Sequence, residues 1–598
     1  MALSAEDPAT GAGNETAARA FVDGLAAAGV RHACITPGSR STPLTLALAR
    51  QAQIRPWVHL DERSSAFFAL GLARATGQPV AVVCTSGTAA ANFHPAVVEA
   101  DLSRIPLLLC TADRPPRLRG VGADQTMVQA GMFGASVRWA CDTRVPCGQP
   151  DEERQFHAIG VRAAAAAIGP LPGPVHLNFP FEEPLMGPPR SHPVIVRSVE
   201  GAENPRTPTE YPPNPGDVSR AAAVVARSRR PLIVAGPETG GLPADAIAAL
   251  AACLDAPILA DPLSGLRTGT HDRALVLDSY DAVVRALPSA ELAPDCVIRF
   301  GGRPTSKALN QFLAGLGDIT HILCDLPGGW RDADALRTIT LHGTAELTAR
   351  SLAGAVGSHC SELGWPRRWL AANADARAAM IAQAGQFNEL FEGRAFTELQ
   401  AALPAGATLM AGNSMPVRDL DSFLLSGAKT LTVVANRGAA GIDGVTSSAL
   451  GAAAAGAAPV VLVVGDISFY HDMNGLWAAA RHGLDLTIVL INNNGGGIFH
   501  YLPQAAEADV FEEWFGTPTN IDFALAVRMY GGRYTLARDW PTFRAALGDL
   551  SQRGLNVIEL PTDRARNAEM HREAWAAAAI AVRESLAPVP GEPAPVTS

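Results

Sequence analysis

The chain has 598 residues, 48 % of them apolar and 18 % charged, with a formal net charge of −10. That length and apolar content predict several globular domains with large buried cores. The acidic balance and the lack of any basic tract exclude a nucleic-acid partner and fit an enzyme whose cations act singly.

Residues 15–185 alternate helical and strand patterns. A helix near 15–29 leads to a strand at 31–36, and a helix near 63–76 to a strand at 79–84. The predicted first domain is 15–187. Eight prolines between 187 and 216 mark a linker, 188–216. A second α/β block, 217–358, carries strands near 231–235, 257–260, 295–300 and 320–324. A helical connection over 359–389 leads to a third block, 390–585, and the Pro-rich tail 586–598 reads as disordered. Three rounds of strand–helix alternation predict an α/β protein of three doubly wound parallel-sheet domains.

Nine scattered cysteines without a Cys-Xaa-Xaa-Cys pair suggest reduced, packing thiols. The start Met-Ala-Leu-Ser-Ala-Glu-Asp-Pro carries no signal-peptide pattern, so a cytoplasmic protein is expected. The uncharged stretches 163–181 and 445–465 are too broken or too weakly apolar to span a membrane.

The chemistry concentrates in the third block. Residues 459–466 read Pro-Val-Val-Leu-Val-Val-Gly-Asp, and 486–494 read Leu-Thr-Ile-Val-Leu-Ile-Asn-Asn-Asn, followed by three glycines. Both are buried parallel strands by pattern, joined by a segment, Asp472 to Arg481, of helical composition. Asp466 and Asn493 then emerge at the carboxyl ends of neighbouring strands, where open α/β sheets bind ligands. A carboxylate, an amide oxygen and a backbone carbonyl at Gly495 form an all-oxygen set suited to Mg²⁺ holding a diphosphate. An ordinary βαβ unit with polar strand ends is the bland alternative. In the first block, Asp61-Glu62-Arg63 precedes a helix, and Cys84-Thr85-Ser86-Gly87-Thr88 turns a strand into another. A helix-capping role for Glu62 is the simplest reading of that segment alone.

Taken together, these motifs resemble those of thiamine-diphosphate enzymes, which carry Gly-Asp-Xaa followed by Asn-Asn. The resemblance covers essentially the whole chain. It implies thiamine diphosphate and Mg²⁺, or Mn²⁺, as cofactors. Asp466, Asn493 and Gly495 would bind the metal. Glu62 would be the catalytic carboxyl against the pyrimidine ring. Thr85, Asn413, Gly465, Ile467, Ser468 and Ile498 would contact the cofactor, with Ile442 as the apolar wedge beneath it. In that family the two cofactor-binding domains come from different subunits, so a homodimer or homotetramer is implied.

Longer runs narrow the match. They are Thr36-Pro37-Gly38-Ser39-Arg40-Ser41-Thr42-Pro43, Thr111-Ala112-Asp113-Arg114-Pro115-Pro116, Gly412-Asn413-Ser414-Met415-Pro416-Val417-Arg418-Asp419 and Asn436-Arg437-Gly438-Ala439-Ala440-Gly441-Ile442-Asp443-Gly444. These are similar to the 2-succinyl-5-enolpyruvyl-6-hydroxy-3-cyclohexene-1-carboxylate synthases of menaquinone biosynthesis. That family decarboxylates 2-oxoglutarate and adds the resulting four-carbon unit to isochorismate. Both substrates are dicarboxylates, and arginine's planar fork suits carboxylates. The resemblance places Ser414, Arg418 and Arg437 on the 2-oxoglutarate side. It places Ser39, Arg40, Arg114, Gln125 and Lys307 on the isochorismate side, with Ile498 and Phe499 as walls. Surface ion pairing is the bland reading of each arginine. Asp124 before Gln125 departs from the Asn expected there. His94 reads as a packing histidine, and no catalytic histidine pair stands out. Two rivals remain open on the residues alone: another thiamine-diphosphate 2-oxoacid decarboxylase or acetolactate-type carboligase, and a non-catalytic nucleotide-binding protein that kept the fold.

Overall fold

The computed structural model describes residues 8–188, 210–287, 292–456, 459–548, 550 and 552–587. Most of the proline-rich linker and the tail from 588 lie outside the described residues. Three parallel six-stranded sheets follow one another along the chain, so the predicted fold class holds.

The first sheet runs Arg55–Val58, His32–Ile35, Val80–Cys84, Leu107–Asp113, Val175–Pro180, Trp139–Asp142. In chain order that is 2-1-3-4-6-5. The third sheet repeats the order: Thr432–Val434, Thr408–Ala411, Val460–Gly465, Leu486–Asn492, Leu555–Pro561, Arg533–Leu536. The central sheet reads 6-5-4-1-2-3, from Thr338–His342 through Thr320–Asp325, Cys296–Phe300, Pro231–Ala235 and Ile258–Ala260 to Val276–Leu277. The central order reverses once, between its fourth and first strands, and the first and third orders reverse between their first and third strands and again at the 6-5 edge; the first-to-third reversal opens a crevice at the carboxyl ends of the two strands flanking it.

The third sheet is buried on both faces, which explains its unbroken apolar strands. Val461, Val463, Val489 and Ile491 face a core shared with the central domain, which also takes Trp365 and Trp369 from the helical connection. Leu462, Val464, Ile488 and Leu490 face a second core that also contains Trp57, Phe67, Phe68 and Val97 of the first domain. A two-residue period thus sends alternate side chains into different domains.

The first and third domains meet where the helices Glu62–Thr76 and Val445–Ala454 cross. A methyl at Gly71 would lie 1.9 Å from the Ser448 carbonyl oxygen, and one at Gly451 would lie 2.0 Å from that of Phe68. Only glycine permits this approach. One polar bond set brackets the crossing. The buried Asp472 accepts from Ser447 N at 2.6 Å, Ser447 Oγ at 2.9 Å and Ser64 Oγ at 3.1 Å.

The crossover after Asp466 differs from the single helix expected over 472–481. It is a helix at Asp466–His471, a 3-10 turn at Met473–Leu476 and a second helix at Trp477–His482. The break falls where Asp472 is spent on Ser447 and Ser64 and where Gly475 packs on Ser447, whose Oγ lies 2.2 Å from the position of an added Cβ. Tertiary bonding overrides helical composition there. Among the described residues no helix is long and apolar enough to cross a membrane.

Substituting Gly451→Ala should force the helices apart. Overpacking of this kind costs about 1–3 kcal/mol. A thermal melt should show a clearly lowered midpoint, and an unchanged midpoint would show that the crossing can yield.

Candidate active site

The candidate residues collect at the sheet reversals. In the third sheet the reversal lies between Thr408–Ala411 and Val460–Gly465. The first of these strands runs into Gly412-Asn413-Ser414, with Gly412 N donating to Val463 O at 2.7 Å. Ser414 has φ 70°, a left-handed conformation costly for a residue with a side chain. The second strand runs into Asp466.

Asp466 is buried. Its Oδ1 accepts from Ile467 N and its Oδ2 from Gly495 N, both at 2.8 Å. Burial pushes its pKa up to about 6 despite those donors. Asn493 donates through Nδ2 to Glu392 Oε1 at 3.0 Å, and Glu392 also takes Thr562 Oγ1 at 2.8 Å. With Glu392 ionised its oxygens only accept, which turns the amide nitrogen toward it, although burial and then Asp419 raise its pKa to about 7. The amide oxygen Oδ1 is left buried without a hydrogen-bond partner. A buried carboxylate whose charge is opposed and a neighbouring orphaned amide oxygen fit a small hard cation, which would restore the charge on Asp466. Gly495 has φ 143°, and an added Cβ would lie 2.0 Å from Gly516 O. Arg564, which no motif flagged, donates from Nη1 to Asn493 O at 3.1 Å and steadies that turn.

The loop 436–442 leans over this turn. Ser468 Oγ donates to Ile442 O at 2.7 Å. Asn413 donates from Nδ2 to Asn436 O at 2.8 Å and Gly441 O at 2.7 Å, and its Oδ1 accepts from Arg437 Nη1 at 2.9 Å. Asn413, expected to touch the cofactor, is therefore fully engaged in shaping the loop that carries Ile442.

A cavity of about 820 Å³ opens beside that loop, at the reversal of the central sheet. Arg437, Arg418 and Lys307 line it together. A smaller cavity of about 380 Å³ shares Lys307 and Arg418 and is closed by Ile498. Among the described residues none of these three cations forms an ion pair. Burial lowers the Arg418 pKa, and the charge of Arg437 lowers it further. Two guanidiniums thus sit close together with no carboxylate in direct ion-pair contact, the charge of Arg418 being supported only at longer range by Asp419 and that of Arg437 by Asp261, Glu99 and Asp421. Phe499 packs on Phe515, with ring centroids 5.5 Å apart. Lys307, expected on the isochorismate side, lines both of these cavities with Arg418. It opens the helix Lys307–Ala314 just past the strand Cys296–Phe300, with Ser306 as the N-cap.

The remaining candidates line the reversal of the first sheet. Ser39 starts a 3-10 turn after His32–Ile35, and Thr85 follows Val80–Cys84. Arg40 is 7 % exposed and already paired, to Glu183 Oε1 at 2.6 Å and Phe181 O at 3.0 Å. Arg114 donates to Ser86 Oγ and, at 2.9 Å, to Gln125 O. Gln125, with φ 52°, returns a bond from Nε2 to Ser86 O at 3.0 Å. Asp124 supports the charge of Arg114 while burial and Arg40 oppose it. His94 is solvent-exposed at the start of its helix, its ring centroid 5.5 Å from that of Phe133.

Glu62 is the first residue of its helix, but Asp61 is the cap, accepting from Arg63 N and Ser64 N. Capping falls to Asp61, so the Glu62 carboxyl takes only its own backbone N–H, and among the described residues no cation pairs with it. Burial raises its pKa. It lines a cavity of about 460 Å³ with His59, Asn474, Trp477 and Tyr530. His59 is neutral, with a pKa lowered to about 3 by burial. None of Arg418, Arg437 and Asp466 lines the Glu62 cavity.

Two family models match the chain. Thiamine pyrophosphate enzyme, N-terminal TPP binding domain, matches residues 15–132, and the corresponding C-terminal TPP binding domain matches residues 423–559. The chain is 50 % identical over 564 residues to a 2-succinyl-5-enolpyruvyl-6-hydroxy-3-cyclohexene-1-carboxylate synthase of Geobacillus kaustophilus, covering 93 % of this chain and 96 % of the relative. It is 46 % identical to the Chloroflexus aurantiacus protein of the same name, covering 93 % and 95 %. The Halobacterium salinarum protein of that name is 44 % identical, with 91 % and 95 % covered. Among solved structures, benzoylformate decarboxylase from Polynucleobacter necessarius superposes with a TM-score of 0.68 at 18 % identity, over 92 % of this chain and 98 % of that one. A putative thiamin diphosphate-dependent enzyme from Mycobacterium smegmatis gives 0.67 at 20 %, over 92 % and 99 %. At those identities the likeness shows the fold alone.

If Asp466 and Asn493 hold a divalent ion, Asp466→Ala should weaken Mn²⁺ binding in the presence of thiamine diphosphate. The loss should exceed the roughly 10–100-fold typical of outer-shell changes. Electron paramagnetic resonance of free Mn²⁺ reads this directly, and equal binding by both proteins would refute the assignment.

Proposed function

The chain belongs to the 2-succinyl-5-enolpyruvyl-6-hydroxy-3-cyclohexene-1-carboxylate synthase family of thiamine-diphosphate enzymes, and from that premise we propose that it decarboxylates 2-oxoglutarate and joins the remaining four-carbon unit to isochorismate, a step of menaquinone biosynthesis in the cytoplasm. The observation that carries this reading is the convergence of Arg418, Arg437 and Lys307, unpaired, on one cavity. A site for small monocarboxylic 2-oxoacids would not need three fixed cations. Two dicarboxylates do, because charge must both attract and orient them.

Asp466, Asn493 and the Gly495 carbonyl would hold Mg²⁺, and through it the diphosphate. When bound, thiamine diphosphate supplies a carbon that adds to the 2-oxo group and takes up the electron pair released with CO₂. This chain's residues do the rest. Ile442, on the loop braced by Asn413, would support the cofactor ring. Arg437 and Arg418, with Ser414, would fix the far carboxylate of 2-oxoglutarate. Glu62 would hold a proton against the pyrimidine nitrogen, a task suited to a carboxyl with a raised pKa and no cation beside it. No charged histidine stands by Glu62 to quench the reaction early, since His59 is neutral. Ser39, Arg40, Arg114 and Gln125 would take the carboxylates of isochorismate, with Lys307 at the seam.

Glu62 and Arg437 line separate cavities in one chain, so the site is proposed to form between two copies, in a homodimer or homotetramer. The surface at Glu62 suits a partner: Leu60, 67 % exposed, lines the same cavity, and Met529, 69 % exposed, adjoins its Tyr530. Such apolar exposure marks interfaces.

Glu62→Gln should keep the fold but cost orders of magnitude in rate. In the native enzyme activity should fall as pH rises through the Glu62 pKa, which burial places above the usual glutamate range, because the protonated carboxyl is the form that holds the proton against the pyrimidine nitrogen. Arg437→Ala should be similarly poor. Mixing the two variants, unfolded and refolded together, should restore about a quarter of wild-type activity by statistical pairing, since one site in each mixed dimer is intact. No recovery on mixing would place the site within one chain.

Product mass from purified protein with thiamine diphosphate, Mg²⁺, 2-oxoglutarate and isochorismate tests the reaction itself. Pyruvate in place of 2-oxoglutarate should be a poor donor. Losing a charge-assisted bond to a buried carboxylate costs about 2–5 kcal/mol. Arg418→Ala and Arg437→Ala should therefore weaken 2-oxoglutarate use most, and Arg40→Ala and Arg114→Ala isochorismate use most. Equal rises in both Michaelis constants across all four would overturn the two-subsite reading.

A further inference from the structure

Glu99 belongs to the first domain, on the helix His94–Leu102, yet most of its bonds lie in the third. Its side chain is nearly fully buried. Oε1 accepts from Gly438 N at 2.8 Å, and Oε2 accepts from Ala439 N at 2.7 Å and Ala440 N at 3.3 Å. Among the described residues of its own domain its carboxylate meets Ser103 Oγ, at 2.7 Å, and Arg74 Nη2, at 3.8 Å. Three successive amides turned onto one carboxylate form an anion-binding concavity. Without a negative charge the three N–H dipoles would repel one another.

The loop it grips is bent and crowded. Ala440 has φ 58°, unfavourable for any residue with a Cβ. Gly438 comes so close that an added Cβ would lie 2.7 Å from Glu99 O and 2.8 Å from Ser103 Oγ. Arg74 completes the grip by donating to Asn436 Oδ1 at 2.7 Å. Arg437, between these anchor points, lines the cation cavity.

We propose that Glu99 is a positioning residue, holding residues 436–441 in the bent form that directs Arg437 into the substrate cavity. The proposal rests on the reading of Arg437 as a 2-oxoglutarate ligand. It also ties the two halves of the fold together, because Arg74 sits in the last turn of the helix that Glu62 begins.

Glu99→Gln is the test. It keeps the shape but replaces one acceptor oxygen with a donor that faces N–H groups. Hydrogen–deuterium exchange over 436–444 should accelerate by about tenfold or more, as a held loop is released. The Michaelis constant for 2-oxoglutarate should rise about tenfold, while that for isochorismate and the affinity for thiamine diphosphate stay within about twofold. Adding Ala440→Gly, which removes the cost of the left-handed bend, should recover part of the loss. Unchanged exchange, an unchanged 2-oxoglutarate constant, or equal rises for both substrates with a lowered melting point would each overturn the proposal. Arg437→Ala run in parallel separates the two ideas. If that variant leaves 2-oxoglutarate binding unmoved, the assignment of Arg437 fails, and exchange in Glu99→Gln still decides whether the loop is held by Glu99.

Discussion

The glycine-to-backbone contact between the helices Glu62–Thr76 and Val445–Ala454 is the constraint on which the rest depends. Close approach of two helices leaves no room for side chains between them, so their relative position is fixed by backbone atoms rather than by adaptable packing. Polar bonds are then affordable only at the ends of the crossing, and both ends carry them. Asp472 joins Ser64 to Ser447 at one end. Arg74 and Glu99 join Asn436 and the amides of 438–440 at the other. Each end lies beside chemistry: Glu62 at the first, Arg437 at the second. A single rigid contact thus aligns a proton-handling carboxyl and a substrate cation that line different cavities.

Charge is distributed with the same economy. The chain is acidic overall, yet its arginines divide into two kinds. Arg267 is buried and saturated, giving bonds to Asp421 Oδ1 at 2.6 Å and to three carbonyls. It clamps the central domain to the helix Met415–Phe423. Arg418 sits on that helix one turn earlier and, among the described residues, makes no ion pair, with only longer-range support from Asp419. Fixing one guanidinium by saturation makes the next one available, because the helix that carries it cannot move to find a counter-ion. Arg40 lies between these kinds. It is paired to Glu183, whose side chain is 61 % exposed, and such a half-solvated pair is weak enough to be exchanged for a ligand carboxylate.

Much of this was legible in the sequence. The strands near 231–235 and 320–324, the Gly-Asp and Asn-Asn-Asn strand ends and the helix after Asp61 all appear where period and punctuation place them. Short apolar runs bounded by turn residues are local signals, and local signals survive without tertiary knowledge. Glu99 was not legible. Its partners lie more than 300 residues away and are backbone amides, which leave no mark in side-chain identity. The broken crossover after Asp466 escaped for a related reason: Ala, Trp and Arg suit a helix, while the break is imposed by Ser447 from another element.

The repeated strand order of the first and third sheets gives a reason for the divided site. Two sheets of the same topology pack through equivalent helices, so their reversal crevices cannot both face the contact between them. In the proposed dimer the crevice holding Ser39, Arg40, Thr85 and Arg114 and the crevice holding Ser414 and Asp466 would each be completed by the other chain. A second copy related by a two-fold axis would bring the first crevice of one chain over the third of the other, twice. The unpaired cations on the third-domain side and the exposed Leu60 on the first-domain side are then the two faces of one arrangement. Water would be excluded from both sites by the same association, which strengthens every charge contact inside them.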